Sequence, residues 1–176
     1  MRWILNFLLV LVLPLNAQID EDIICAEKQH LQALMDVQKR SSTPNFHGYD
    51  IQYHRCNWKL NPKMNSNISG NVLFSFQVQG GNYDSLAFDL IADMMVDSVL
   101  YRGISTKFNR KGNKVFVFKN GLWIDGERDS FTVFYQGIPA SIPGGFGAYT
   151  YDAHSTGPII HTLSQPYGAP FWWPCK

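Results

Sequence analysis

The chain of 176 residues is 45% hydrophobic, 14% aromatic and only 16% charged, which excludes a disordered chain and suffices for one well-buried domain. A formal net charge of +1 gives no electrostatic basis for binding nucleic acid or an anionic membrane, so neither partner is expected. The three cysteines, Cys25, Cys56 and Cys175, include no C-x-x-C pair; a disulfide-rich scaffold is excluded, and at least one thiol is unpaired within the chain.

In residues 1–17, Arg2 precedes a short apolar run that ends at Pro14 and then Ala17. This is the three-part pattern of a secretory signal peptide, with cleavage expected after Ala17. An uncleaved anchor is the other reading, but the run is too short for a comfortable membrane span. Export places the protein outside the cell or in the cell envelope and permits disulfides.

Residues 18–45 form a leader, with a helix expected over 19–39. Asp20 or Asp22 can cap its start, and Ile24, Leu31, Leu34 and Met35 fall near one face. Lys39 and Arg40 suit its C-terminal dipole.

From Tyr49 the pattern is β. Strands are expected at Tyr49 to Trp58, Val72 to Val78, Ser85 to Leu90, Met94 to Tyr101, Lys107 to Phe108, Lys114 to Phe118 and Asp129 to Gln136. The second alternates Val72, Phe74, Phe76 and Val78 against Leu73, Ser75 and Gln77, and the last alternates Phe131, Val133 and Tyr135 against Thr132 and Phe134. Turn clusters lie at Asn61 to Asn67, Gly80 to Asn82, Asn109 to Asn113 and Gly121 to Gly126. The fold class is mainly β, with the strand rhythm of an antiparallel sandwich or open barrel, preceded by the signal peptide and the short helix.

The polar residues yield few candidate sites. His30, His47, His54, His154 and His161 include no i, i+4 pair for zinc. His54 and Cys56 would share a strand face, but two ligands do not complete a tetrahedral site, and ordinary sheet residues are the better reading. The aspartates fall mostly at strand ends and turns, where that residue is at home, and offer no defensible acid–base pair. Lys107, Arg110, Lys111 and Lys114 read as a solvated hairpin tip. Pro143 to Tyr149 is glycine-rich but lacks the Lys-Ser/Thr and helix of a phosphate loop. Asn67-Ile-Ser69 fits the glycosylation triplet, a pattern common by chance.

The ending, Thr162 to Lys176, concentrates two adjacent tryptophans, three prolines and a cysteine. With two earlier pieces it carries a resemblance. Tyr49-Asp-Ile-Gln-Tyr53 looks like an H/Y-Y-D-L-x-L opening strand. Phe134-Tyr-Gln-Gly137, followed by Gly145-Phe-Gly-Ala-Tyr149, looks like a Y-x-G then G-Φ-Y-x-S strand pair. The ending is similar to T-Q-x-E/Q-P-x-x-A-R-x-x-F-P-C. Without a gap, Thr162, Gln165, Pro166, Ala169, Trp173, Pro174 and Cys175 meet the Thr, E/Q, Pro, Ala, Phe, Pro and Cys. From about residue 47 to the end, the chain therefore resembles the N-terminal domain of the secreted zinc aminopeptidases related to aminopeptidase N and leukotriene hydrolase, peptidase family M1. Leu163 departs from the first Gln of the motif and Pro170 from the Arg. Placing Gln165 on that first Gln requires a two-residue deletion, so the gapless register is preferred.

The resemblance implies an antiparallel β-sandwich or saddle-like domain over residues 46–176, incomplete at its C-terminal end, that packs on a thermolysin-like catalytic domain beyond Lys176. It implies that Gln165 helps hold the free α-amine of a peptide substrate, an ammonium with three donors for which an amide oxygen is a suitable acceptor; the bland reading of Gln165 is a loop residue. H-E-x-x-H, a further zinc-binding Glu and G-x-M-E-N do not occur in the sequence. The expectation is a zinc metallo-aminopeptidase as the full-length protein, with zinc ligands outside this chain, and an inactive 176-residue fragment that binds no metal. Alternatives are a stand-alone secreted β-sandwich module that stacks sugar or peptide on Tyr167, Phe171, Trp172 and Trp173, or a structural envelope domain. As half of an interdomain interface, Trp172 and Trp173 are expected to be partly exposed and the tail poorly held.

Overall fold

In the computed structural model, residues 48–62, 67–140, 148–165 and 168–176 are described, with Lys28 and Gln32, both helical, standing singly before them. The signal peptide, the rest of the leader helix and most of the glycine-rich loop lie outside the described residues. The described residues form ten strands: β1 (Tyr49–Leu60), β2 (Ile68–Val78), β3 (Tyr83–Asp89), β4 (Met94–Tyr101), β5 (Ile104–Ser105), β6 (Phe108–Lys111), β7 (Lys114–Trp123), β8 (Arg128–Gly137), β9 (Tyr149–His154) and β10 (Gly157–Thr162). They form a five-stranded sheet ordered β1-β2-β8-β4-β5, a three-stranded sheet β3-β7-β6 and a two-stranded ribbon β10-β9. All pairings are antiparallel. The two larger sheets pack face to face as an antiparallel β-sandwich.

The alternation expected from the sequence builds the core. Val72, Phe74, Phe76 and Val78 of β2 and Phe131, Val133 and Tyr135 of β8 all point inward and are buried, as a period of two requires. They meet Leu86 and Phe88 of β3 and Val115, Val117 and Trp123 of β7. Phe74 stacks on Phe131 at 4.9 Å and meets Phe88 at 5.4 Å, while Phe76 meets Trp123 edge-on at 5.5 Å. These are favourable aromatic geometries at ordinary spacing.

Two features depart from the sequence-based layout. β7 runs on to Trp123, through the supposed turn at Gly121; its register against β3 shifts between the Tyr83–Trp123 and Ser85–Phe118 pairs, so residues 119–122 bulge outward and Leu122 is exposed. The basic hairpin is a solvated tip only in part: Lys107 and Lys111 are exposed, but Arg110 and Lys114 are not. Strand pairing continues to Lys111–Lys114, and Arg110 folds back onto the 90–94 loop. Its Nη1 donates to Met94 O at 2.7 Å and Ala92 O at 3.2 Å; its Nη2 donates to Leu90 O and Ile91 O, both at 3.0 Å. Burial lowers the Arg110 pKa, with Asp93 opposing. Lys114 pairs with Asp89 at 2.7 Å. Four loop carbonyls accept from the one guanidinium, charge-assisted bonds that draw the side chain inward and offset part of its desolvation.

Candidate functional site

At one end of the sandwich β9 and β10 leave the core as a largely exposed ribbon. Its ladder continues one step past Tyr149–Thr162, because Leu163 N donates to Ala148 O at 3.0 Å. The chain then reverses: Gly168 N donates to Ser164 O at 2.8 Å. Gln165 sits in this reversal, exposed, at the end of the ribbon. Pro166 and Tyr167 lie outside the described residues. Gln165 is therefore presented outward, where a group on another body can reach it.

After the turn comes a single 3-10 turn, Ala169–Phe171, and the tail folds back onto its own domain. Ile91 N donates to Pro170 O at 2.8 Å, Asp89 N to Cys175 O at 2.7 Å and Cys175 N to Asp89 O at 3.0 Å. The last pair adds residue 175 to the free edge of β3 as an antiparallel bridge. Lys176 Nζ donates to Tyr49 O. Phe171 and Trp172 are 7% and 5% exposed, and Trp173 is half-buried. The expectation of a poorly held tail with partly exposed tryptophans is thus corrected for all but Trp173. The tail completes the β3 edge, and its rings find partners on β1.

Those partners follow from one irregularity. Between Ile51 and Tyr53 the β1–β2 register shifts, a bulge that turns every later side chain to the opposite face. Tyr49 and Ile51 point inward before it; His54 and Cys56 do so after it, while Tyr53 is 57% exposed. Trp58 falls on the His54 side and meets Trp172 at 4.6 Å and Trp173 at 6.2 Å. His54 lies between Phe74 at 4.7 Å and Trp173 at 5.5 Å, and Tyr149 packs on Trp172 at 5.9 Å. Gly70 on β2 makes room: a Cβ there would stand 2.3 Å from Asn57 O and 3.1 Å from the Trp58 ring.

Around this aromatic cluster His54 Nδ1 and the Tyr149 hydroxyl are buried without a hydrogen-bond partner among the described residues. Desolvation lowers the His54 pKa, against a backbone hydrogen bond at Leu73 that raises it. Desolvation raises Tyr135 strongly, aided by Cys56, with Trp58 opposing. The Cys175 thiol is pushed far up, first by burial and then by Asp89. His54 and Cys56 do share a face, but among the described residues no three His, Cys, Asp or Glu side chains gather as a metal site. Sequence reading singled out Gln165 and the tail tryptophans; it missed Ser164, Trp58 and Tyr149. Trp58, an aromatic at a strand end, and Tyr149, the last residue of the glycine-rich piece, carried some prior signal, and Ser164 carried none.

A groove of about 680 Å³ lies at the far end of the sandwich, between the β4–β5 hairpin and the β7 bulge. Two of its cations are paired, Arg102 with Asp129 at 2.8 Å and Lys119 with Glu127. Among the described residues no helix is long and apolar enough to cross a membrane.

No protein-family model and no curated protein sequence matches the chain. Solved structures do. An M1 zinc metallopeptidase from Deinococcus radiodurans is similar at a TM-score of 0.62 and 20% identity, over 77% of this chain and 31% of that one. A mutant of that enzyme bound to a Tyr-Ser-Ala substrate is similar at 0.61 and 21%, over 73% of this chain and 29% of that one. Yeast leukotriene A4 hydrolase is similar at 0.58 and 16%, over 80% of this chain and 24% of that one. The chain spans about a quarter to a third of the length of these enzymes, and the domain has a fold that M1 zinc metallopeptidases contain.

Proposed function

We propose that this chain is the N-terminal domain of an exported zinc aminopeptidase, and that Gln165 accepts a hydrogen bond from the free α-ammonium of a peptide substrate. The observation that carries the reading is the placement of Gln165: exposed, on a tightly closed turn, at the end of a ribbon that projects from its own core. The shared fold and the gapless spacing of Thr162, Gln165, Pro166, Ala169, Trp173, Pro174 and Cys175 support it. Hydrolysis falls to an H-E-x-x-H domain beyond Lys176, where bound zinc supplies an activated water and the motif's glutamate a general base. This chain's part is to bind and orient the amine end, and alone it cleaves nothing. Removal of residues 1–17 on export belongs to the same reading.

A neutral amide binds an ammonium less strongly than a carboxylate does. In the full-length polypeptide, Gln165→Ala is expected to raise KM for an aminoacyl anilide about ten-fold with a smaller change in kcat, the loss of a hydrogen bond to a charged group. Gln165→Glu is expected to lower KM. Unchanged kinetics in Gln165→Ala would sink the assignment. The stand-alone binding-module reading is weakened by the burial of Phe171 and Trp172, whose faces are already covered by this domain.

A further inference from the structure

The turn that carries Gln165 is tied to the aromatic core by one side-chain bond. Trp172 Nε1 donates to Ser164 Oγ at 3.0 Å. An indole has a single donor with one direction, whereas a hydroxyl rotates to receive it. The direction of this donor is fixed, because the Trp172 ring is buried and enclosed by Trp58, Tyr149 and Trp173. Ser164 immediately precedes Gln165, and the same residue's carbonyl accepts from Gly168 N at 2.8 Å. Gly168 is itself pinned: a Cβ there would lie 2.4 Å from Leu163 O and 3.1 Å from Ala148 Cβ. Its φ of −79° is open to any residue, so close approach, not backbone conformation, calls for glycine.

We propose that Ser164 and Trp172 are positioning residues: their hydrogen bond, with the close-packed Gly168, sets the aim of Gln165 toward the substrate ammonium. The inference rests on the amine-binding reading of Gln165. It assigns the buried tail tryptophan a part in substrate binding through the turn rather than through its exposed surface. A turn held at both ends keeps its side chain within the tolerance that binding geometry demands.

The test uses the zinc-loaded full-length polypeptide and an aminoacyl anilide with a free amine. Ser164→Ala and Trp172→Phe each remove the bond, and the second keeps a buried ring. Each is expected to raise KM about five-fold with kcat little changed, the size of one neutral hydrogen bond. The double variant is expected to be no worse than the poorer single one, since both remove the same interaction. Ser164→Thr, which keeps the hydroxyl, is expected to restore KM. Ki for a des-amino competitor, which lacks the ammonium, is expected to stay constant throughout; general loosening of the site would move it. Should Trp172→Phe fail to fold, Ser164→Ala and Ser164→Thr carry the test alone. If Gln165→Ala raises KM but Ser164→Ala does not, the positioning role is overturned and the amine reading survives. If Gln165→Ala is itself silent, both are overturned.

Discussion

Replacing Arg110 by Met tests whether the inward-turned guanidinium, rather than hairpin propensity, holds the loop on which the tail docks. Met keeps much of the aliphatic stem and removes all donors. Four carbonyls lose a partner, those of Leu90, Ile91, Ala92 and Met94. They are not equivalent. Ala92 is exposed, so water can replace the guanidinium there, whereas Leu90 and Met94 are buried. Stranding a buried acceptor costs roughly 1–3 kcal/mol, so two give about 2–6 kcal/mol. The desolvation that lowers the Arg110 pKa is recovered on substitution, which moves the expectation to about 3 kcal/mol. For a domain of this size that is a fall of about 10 °C in Tm. The assay is urea unfolding followed by tryptophan fluorescence. Ile91 N also donates to Pro170 O, so loosening the loop is expected to shift tryptophan emission to the red before the main transition. Lys111→Ala, on the exposed neighbour, is the control and is expected to stay within about 0.5 kcal/mol of the parent. A loss below about 1 kcal/mol for Arg110→Met would refute the reasoning, because the four bonds would then add nothing to what water provides.

His54 gives a pH dependence of definite sign. Its pKa is lowered from 6.5 by burial, so below that value the unfolded chain binds a proton that the folded chain resists. Stability is therefore present above about pH 6.5 and lost as pH falls through the folded value; urea midpoints of His54→Gln are expected to fall less steeply between about pH 7 and 5, and parallel curves would count against the desolvation of His54. Cys175 is buried and its thiol is held protonated far above the ordinary range, so in a Cys25→Ser chain an aromatic disulfide reagent is expected to modify it only on unfolding. Rapid modification of Cys175 in the native chain would show that the β3-edge bridge is not formed.

The core was legible because its signal is local. Val72, Phe74, Phe76 and Val78 alternate without interruption, and one face of one strand is set by a period of two. The site was legible only in part. Gln165 stood out through its spacing to Pro166, Ala169 and Cys175, but nothing in the sequence indicated Ser164 as the acceptor for Trp172. That contact depends on a chain reversal and a 3-10 turn between residues eight apart. The inward turn of Arg110 was not legible because Arg110 and its carbonyl partners are brought together only by folding: the 90–94 loop lies some 20 residues earlier in the chain.

The fate of the tail depends on a single residue's worth of register. Without the bulge near Gln52, strict alternation from Tyr49 would carry Tyr53, Arg55 and Asn57 inward and put His54, Cys56 and Trp58 on the outer face. An arginine and an asparagine would then face the rings of Trp172 and Trp173, and burying them without partners would be costly. The observed shift between Ile51 and Tyr53 supplies Trp58 and His54 instead, two flat rings that pack on the tail tryptophans. Trp172 can then sink to 5% exposure and present its one donor to Ser164. The tail is held by its own domain through the rings that the β1 shift brings to its face, while Gln165 stays exposed.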